Sequence, residues 1–175
     1  MQVGIRQYKE SDADGFQEAV LESVDHVSKW LPWCHSGYRI EDAREWACSA
    51  KETWDNGTDY RFVVENQVTG EILGSVGINQ VVAQHKVGNL GYWIRESALN
   101  KGACTIAAKQ VVDFGFRELG FQRIEVHVLC ENKASNIVAS KLGGVYEGEF
   151  RNKLWHDGKS RPANCYSIVP SDYGI

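Results

Sequence analysis

Hydrophobic residues recur along this chain with two different periods, and the switches between them mark out its elements. Val3–Tyr8 alternates as a first strand does. Ser11-x-x-Asp14 then offers a helix N-cap with an acid in the first turn, and Phe16, Ala19 and Val20 share one face of the helix that follows. Val24–Trp30 reads as a short second helix stopped by Pro32. Glu41–Asp55 is a third, carrying Ala43, Trp46, Ala47 and Ala50 at three- and four-residue spacings. From Tyr60 the period falls to two. Tyr60–Glu65, Ile72–Val82 and Val87–Ile94 are rich in Val, Ile and aromatics, and Thr69-Gly70 and His85-Lys86 divide them into an antiparallel meander. A helix from about Gly102 to Leu119 follows, then a strand over Arg123–Leu129 and a helix over Asn132–Leu142 closed by Gly143-Gly144. A strand from Val145 to about Leu154, a hairpin turn at His156-Asp157-Gly158-Lys159 and a last strand near Cys165–Val169 complete the chain. The order βααα, βββ, αβαββ predicts an α+β fold of about seven strands with helices on both sheet faces.

A chain of 175 residues suits one domain spanning positions 1–175, with enough buried surface for a core that needs neither metal nor disulfide. The net charge of −4 argues against binding nucleic acid through a general basic field. It also means that an anionic ligand must be held by local donors. Five cysteines (Cys34, Cys48, Cys104, Cys130, Cys165), odd in number and without a Cys-x-x-Cys pair, read as reduced thiols of a cytoplasmic protein. The first residues lack a signal pattern, and no apolar run reaches the ~18 residues that a membrane span needs, so no membrane partner is expected.

One stretch carries chemistry. Gly91-Tyr92-Trp93-Ile94 has strand composition, Leu99-Asn100-Lys101-Gly102-Ala103-Cys104-Thr105 is a turn, and Ile106–Leu119 is long enough for four helical turns. The first turn of a helix leaves backbone N–H groups unpaired and carries the positive end of the helix dipole, so phosphate oxygens bind there. Gly102 allows close approach without a Cβ, and Lys101 and Thr105 can add a charge and a hydroxyl.

Leu99-x-x-Gly102-x-Cys104 resembles the Gln/Arg-x-x-Gly-x-Gly/Ala turn with which the GNAT superfamily of N-acetyltransferases binds acetyl-coenzyme A. Gly91-Tyr92-Trp93-Ile94 before it and Asn132-x-x-Ser135 after it look like the branch that acetylates ribosomal-protein N-termini, the serine and alanine N-acetyltransferases. The likeness runs from about Val3 to Val169. Two departures stand out: Leu99 replaces a polar or basic residue, and Cys104 replaces Gly/Ala. Binding through main-chain donors tolerates both.

The resemblance implies a mixed, mostly antiparallel twisted sheet whose fourth and fifth strands splay apart to form a cleft for the pantetheine arm of acetyl-coenzyme A, the cosubstrate. It makes Leu99, Asn100, Lys101, Gly102, Ala103, Cys104 and Thr105 cofactor-binding, with the pyrophosphate on Gly102–Thr105, the pantetheine and thioester along Trp93 and Ile94, and Asn132 near the pantetheine arm. Ser135 falls near the sulfur and is the candidate catalytic residue, assisting the leaving thiolate. Asn132 and Ser135 also fit a plain helix cap. The implied reaction is direct attack of an amine on the acetyl carbonyl, with the oxyanion held by an N–H near Trp93 or Ile94. No enzyme nucleophile is required, so Cys104 and Cys130 read as packing residues, and no metal is invoked.

Some relatives carry a glutamate base before the final hairpin. Leu154 stands at that point here, which leaves Glu71, Glu149, His85, His127 or a water chain. The absence of an evident strong base favours an α-amine acceptor: its pKa of ~7.7–8.0 makes deprotonation at pH 7 cost about 1 kcal/mol, against roughly 4.6 kcal/mol for lysine. Trp30 and Trp33, beside the Pro32 break, are the acceptor-side candidates, or else anchors of the short second helix. Relatives commonly pair as homodimers, and one is expected here. Signatures of a nucleoside triphosphatase, dinucleotide enzyme, zinc protease or serine hydrolase are missing. Two rivals stand beside a protein N-terminus as acceptor: a small amine such as a polyamine or antibiotic, and a coenzyme A-binding module without catalysis.

Overall fold

The computed structural model describes residues 1–175. Seven strands form one sheet: β1 (Val3–Gln7), β2 (Tyr60–Asn66), β3 (Ile72–Val82), β4 (Val87–Ile94), β5 (Arg123–Leu129), β6 (Val145–His156) and β7 (Lys159–Ile168). Their order is β1-β2-β3-β4-β5-β7-β6, and the β4–β5 pair alone is parallel. The α-helices are α1 (Ala13–Glu22), α2 (Val24–Val27), α3 (Ile40–Asp55), α4 (Ala103–Arg117) and α5 (Lys133–Lys141).

Alternation along the strands sends side chains to two cores. Phe62, Val64, Val76, Ile78, Leu90 and Ile94 meet α4, while Val63, Ile72 and Trp93 meet α1 and the start of α3. α4 itself buries Ala103, Ala107, Ala108, Val111, Val112 and Phe116, small residues that let it lie close to the sheet. α5 lies on the same side, over β5 and β7.

The parallel pair holds for three residues only, Val87↔Arg123 to Asn89↔Glu125. Beyond it β4 stays with β3 through Ile94, and β5 stays with β7 through Leu129, so the two strands diverge as a fork. Gly74 tightens the β3 side. Its φ is +150°, and a Cβ there would stand 2.2 Å from the Trp93 carbonyl oxygen, so only glycine lets β3 approach the end of β4.

Four boundaries depart from the sequence reading. Ser11 does not cap α1; Asp12 precedes it and accepts the Lys9 N–H at 2.7 Å. α2 stops at Val27, because Trp30 to Cys34 turn by shorter backbone bonds around Pro32. α3 starts at Ile40, one residue early. β7 begins at Lys159 rather than near Cys165; Pro162 is accommodated because it lies opposite a bulge in β6 where no ladder bond is needed. The predicted hairpin turn is in place, with Asp157 and Gly158 both at positive φ.

Candidate active site

The fork leaves polar backbone on its inner edges. Arg95 N–H donates to Leu73 O at 2.7 Å, so ladder alternation turns the N–H groups of Gly91 and Trp93 toward β3 and those of Tyr92 and Ile94 into the fork. Of the two residues named for an oxyanion donor, Ile94 thus has its amide in the cleft and Trp93 does not. The carbonyls are closed off by side chains: His26 Nε2 bonds Ile94 O at 3.1 Å, and Asn136 Nδ2 donates to Leu129 O at 3.2 Å. The amides are left facing the gap.

Past β4 the chain turns back through Arg95 to Gly102. Asn100 and Gly102 both adopt left-handed backbone, at φ 58° and 78°. In this turn the amides of Asn100 through Thr105 donate to no protein acceptor, and the first helical bond is Ile106 N–H to Gly102 O at 3.0 Å. A run of convergent N–H groups at the start of a helix is an anion cradle. Gly102 is needed for its φ, since the nearest atom to an added Cβ would be Ile106 Cδ1 at 3.9 Å. Lys101 is tied back, donating to Ser97 O at 2.8 Å. Leu99 is exposed. Cys104 packs against the core, and burial pushes its thiol up to about 12, where it is no nucleophile.

The turn rests on Arg95, which is 4% exposed and meets Glu22, Glu18 and Glu71, the last two at 3.0 Å, with Ile72 O at 3.2 Å. Glu22 also accepts the Ser97 N–H at 2.7 Å, and Ser23 Oγ accepts that of Glu96 at 3.1 Å. The Arg95 guanidinium, aided by these donors, holds the Glu22 carboxyl at about 2, well below the ordinary range.

On the α4–α5 side, Asn132 caps α5 by accepting the Ser135 N–H at 3.1 Å. Ser135 Oγ lies 3.0 Å from the Tyr92 hydroxyl, which also donates to Ser135 O at 3.1 Å. Burial raises the Tyr92 phenol far above its usual value, so it stays protonated and fixes the serine across the fork. Asn136 braces this corner, its Oδ1 accepting from Tyr166 at 2.9 Å and Asn164 at 2.7 Å.

The opposite side is aromatic. Trp33 stands edge-on to Trp93 at 5.6 Å and beside Tyr38 at 6.1 Å. With Phe16, Trp46, Asp42 and Glu45 it lines a cleft of about 360 Å³. Trp30 is half-buried and lies outside that lining. A wider, open depression of about 780 Å³ runs along the β6–β7 hairpin at Glu149 to Asn152 and Pro162, away from the cradle.

Among the candidate bases, Glu71 is spent on Arg95, His85 is exposed in a turn before β4, and Glu149 is exposed, 3.5 Å from Cys130 Sγ. Leu154 sits on β6 beside the bulge. His127 lies at the fork, 2.8 Å from Glu125. Arg95, His26 and Asn136 brace the site yet give no local sequence signal, and the motif that contains Tyr92 does not announce its bond to Ser135; His26 and Ile94 are 68 positions apart.

A turn of free amides beside a forked sheet is a place where an anionic ligand can be held by main-chain donors. Residues 2–145 match the acetyltransferase (GNAT) domain, and the chain belongs to that family, whose members use acetyl-coenzyme A to acetylate amines. It is 32% identical over 169 residues to the uncharacterized N-acetyltransferase YoaA of Bacillus subtilis, covering 94% of this chain and 92% of that one. Its fold matches the crystal structure of the ribosomal-protein-S5-alanine acetyltransferase from Vibrio fischeri with a TM-score of 0.87, at 23% identity over 99% of this chain and 96% of the other. It is also 31% identical over 116 residues to the spermidine N(1)-acetyltransferase of Escherichia coli, covering 66% and 61%. No helix is long and apolar enough to cross a membrane.

Proposed function

We propose that this N-acetyltransferase acts on the N-terminal α-amine of a protein, a ribosomal protein being the first acceptor to test. The free amides from Asn100 to Thr105, set at the mouth of the fork, carry the reading. They hold the pyrophosphate, with Gly102 supplying the backbone turn; Asn132 and the Ile94 edge of β4 receive the pantetheine. The Ile94 N–H faces the developing oxyanion. Ser135, steadied by Tyr92, donates to the departing sulfur, a tolerable leaving group at a thiol pKa of ~8.5.

Trp33 and Trp93 form the wall along which the acceptor enters. The likeness to an alanine N-acetyltransferase and the low cost of deprotonating an α-amine favour a terminal residue. One observation favours a second reading, a small polycation: Asp42 and Glu45 stand in the aromatic cleft, against one cation there, Arg61, which lies over the Trp46 ring at 3.9 Å, and the spermidine enzyme is a relative. An acceptor screen with mass detection separates the two. Faster acetylation of a serine- or alanine-terminal peptide than of spermidine or an internal-lysine peptide supports the first, and the reverse order replaces it. Coenzyme A binding without thiol release from any amine would leave a non-catalytic module. A homodimer belongs to the proposal, with the exposed Tyr146, Phe150 and Trp155 of outer strand β6 as its surface, and light scattering tests it.

A further inference from the structure

Where β4 and β5 part, the face of the sheet opposite α4 and α5 carries an unusual polar row. Continuing the register of Asn89↔Glu125 puts Gly91 level with His127 and Trp93 level with Leu129. His127 is therefore the first side chain on that face of β5 beyond the last paired residue. Gly91 leaves the space before it open: an added Cβ would meet only Asn79 Nδ2, at 3.4 Å.

The row is rich in acceptors without donors. Asn89 Oδ1 is buried and unpaired although its Nδ2 bonds Asn79 at 2.9 Å. The His127 side chain is 5% exposed. Its Nε2 sits 2.8 Å from a Glu125 oxygen in a contact too poorly directed to count as a hydrogen bond, while Nδ1 has no protein partner and is not sealed in. Unpaired acceptors beside an open space call for a ligand that brings N–H groups.

We propose that His127 receives the proton of the acceptor amine, with Glu125 as the positioning residue that orients its ring. The inference rests on the acetyl-transfer reading above. An ammonium group entering over Gly91, along the Trp33–Trp93 wall, gives one proton to His127. The freed lone pair forms the C–N bond, the C–S bond breaks, and sulfur leaves with the electron pair and takes the second proton. His127 then releases its proton to solvent.

The groups around the imidazole suit a base. Arg123 and Glu125 lie on its own strand, Cys165 opposes it on β7, and Lys153 and Glu147 approach from β6. Burial, with Lys153 next, lowers the His127 pKa, which favours the neutral ring that can accept a proton. Arg123 takes up Glu125 at 2.8 Å and also Glu147, which keeps both carboxylates ionised beside it.

The test is a pH–rate profile of the acetyl transfer with wild type, His127→Gln, Glu125→Gln and Gly91→Val, alongside acetyl-coenzyme A affinity. Wild-type kcat/KM should rise with an inflection below the ordinary histidine value. His127→Gln should lose that inflection and about 100-fold in kcat at pH 7 with cosubstrate affinity unchanged, which lies within the usual range for removing a general base. Glu125→Gln should shift the inflection. Gly91→Val should raise the amine KM alone, a readout that does not depend on the histidine variant folding. Active wild type with an unaltered profile in His127→Gln, or an unchanged amine KM in Gly91→Val, overturns the inference alone. Wild type that acetylates no amine overturns the transfer reading, and this inference falls with it.

Discussion

The two sides of the fork are built from different materials. On the side of the proposed cosubstrate site the available groups are main-chain amides, from Asn100 to Thr105 and at Ile94, with one buried phenol holding one serine. On the proposed acceptor side they are side chains: Trp33, Asp42 and Glu45 line the entrance, with Trp93 packed behind Trp33, and Asn89, Glu125 and His127 lie inside. Backbone donors read a ligand that does not vary and accept almost any residue around them. Side chains read what does vary. The Leu99 and Cys104 departures fall on the backbone-built side, where one is exposed and the other is packing.

Four experiments would break or sharpen that contrast. The largest effect is expected at neither wall but at their shared support. Arg95→Ala leaves Glu18, Glu22 and Glu71 without their cation and should cost about 3 kcal/mol of stability, read as a lowered urea midpoint. An unchanged midpoint would mean that the cluster is ornamental. Gly102→Val forces a β-branched residue to a φ of 78° and should weaken acetyl-coenzyme A binding roughly 10- to 100-fold, in line with ~1–3 kcal/mol of strain. Calorimetry finding wild-type affinity would remove the amide cradle from the account.

Ser135→Ala should reduce kcat roughly tenfold while cosubstrate affinity holds, as expected when a hydrogen bond to a developing charge is lost. A matching loss of affinity would make Ser135 a binding residue. The smallest effect is predicted for Lys101→Ala. Its ammonium already bonds Ser97 O at 2.8 Å, so affinity should change less than about threefold, within the worth of an exposed charge contact. A large loss there would mean that charge, rather than backbone, holds the pyrophosphate.

Much of the framework was legible in the residues. Period-two and period-3.6 patterns locate all seven strands and the long helices, because each signal is written within ten or so residues. The turn with its free amides was legible for the same reason: Leu99 to Thr105 is contiguous, and Gly102 marks the left-handed backbone. The early start of β7 was not, since sequence cannot show that a bulge in β6 spares the missing N–H of Pro162. The Ser11 cap misled because Glu10–Asp12 already turn as a short 3-10 helix that runs into α1, and Asp12 closes it by accepting the Lys9 N–H.

By itself, then, the sequence determined the elements, their order and the turn of free amides before α4, all products of local backbone preference and side-chain period. Tertiary structure alone decided which groups meet at the fork. The pairing of His26 with Ile94 O, Tyr92 with Ser135, Arg95 with three glutamates and His127 with the space over Gly91 depends on where β4 and β5 stop being neighbours. That point is set by sheet twist and by the helices packed on either side, and no short stretch of residues records it.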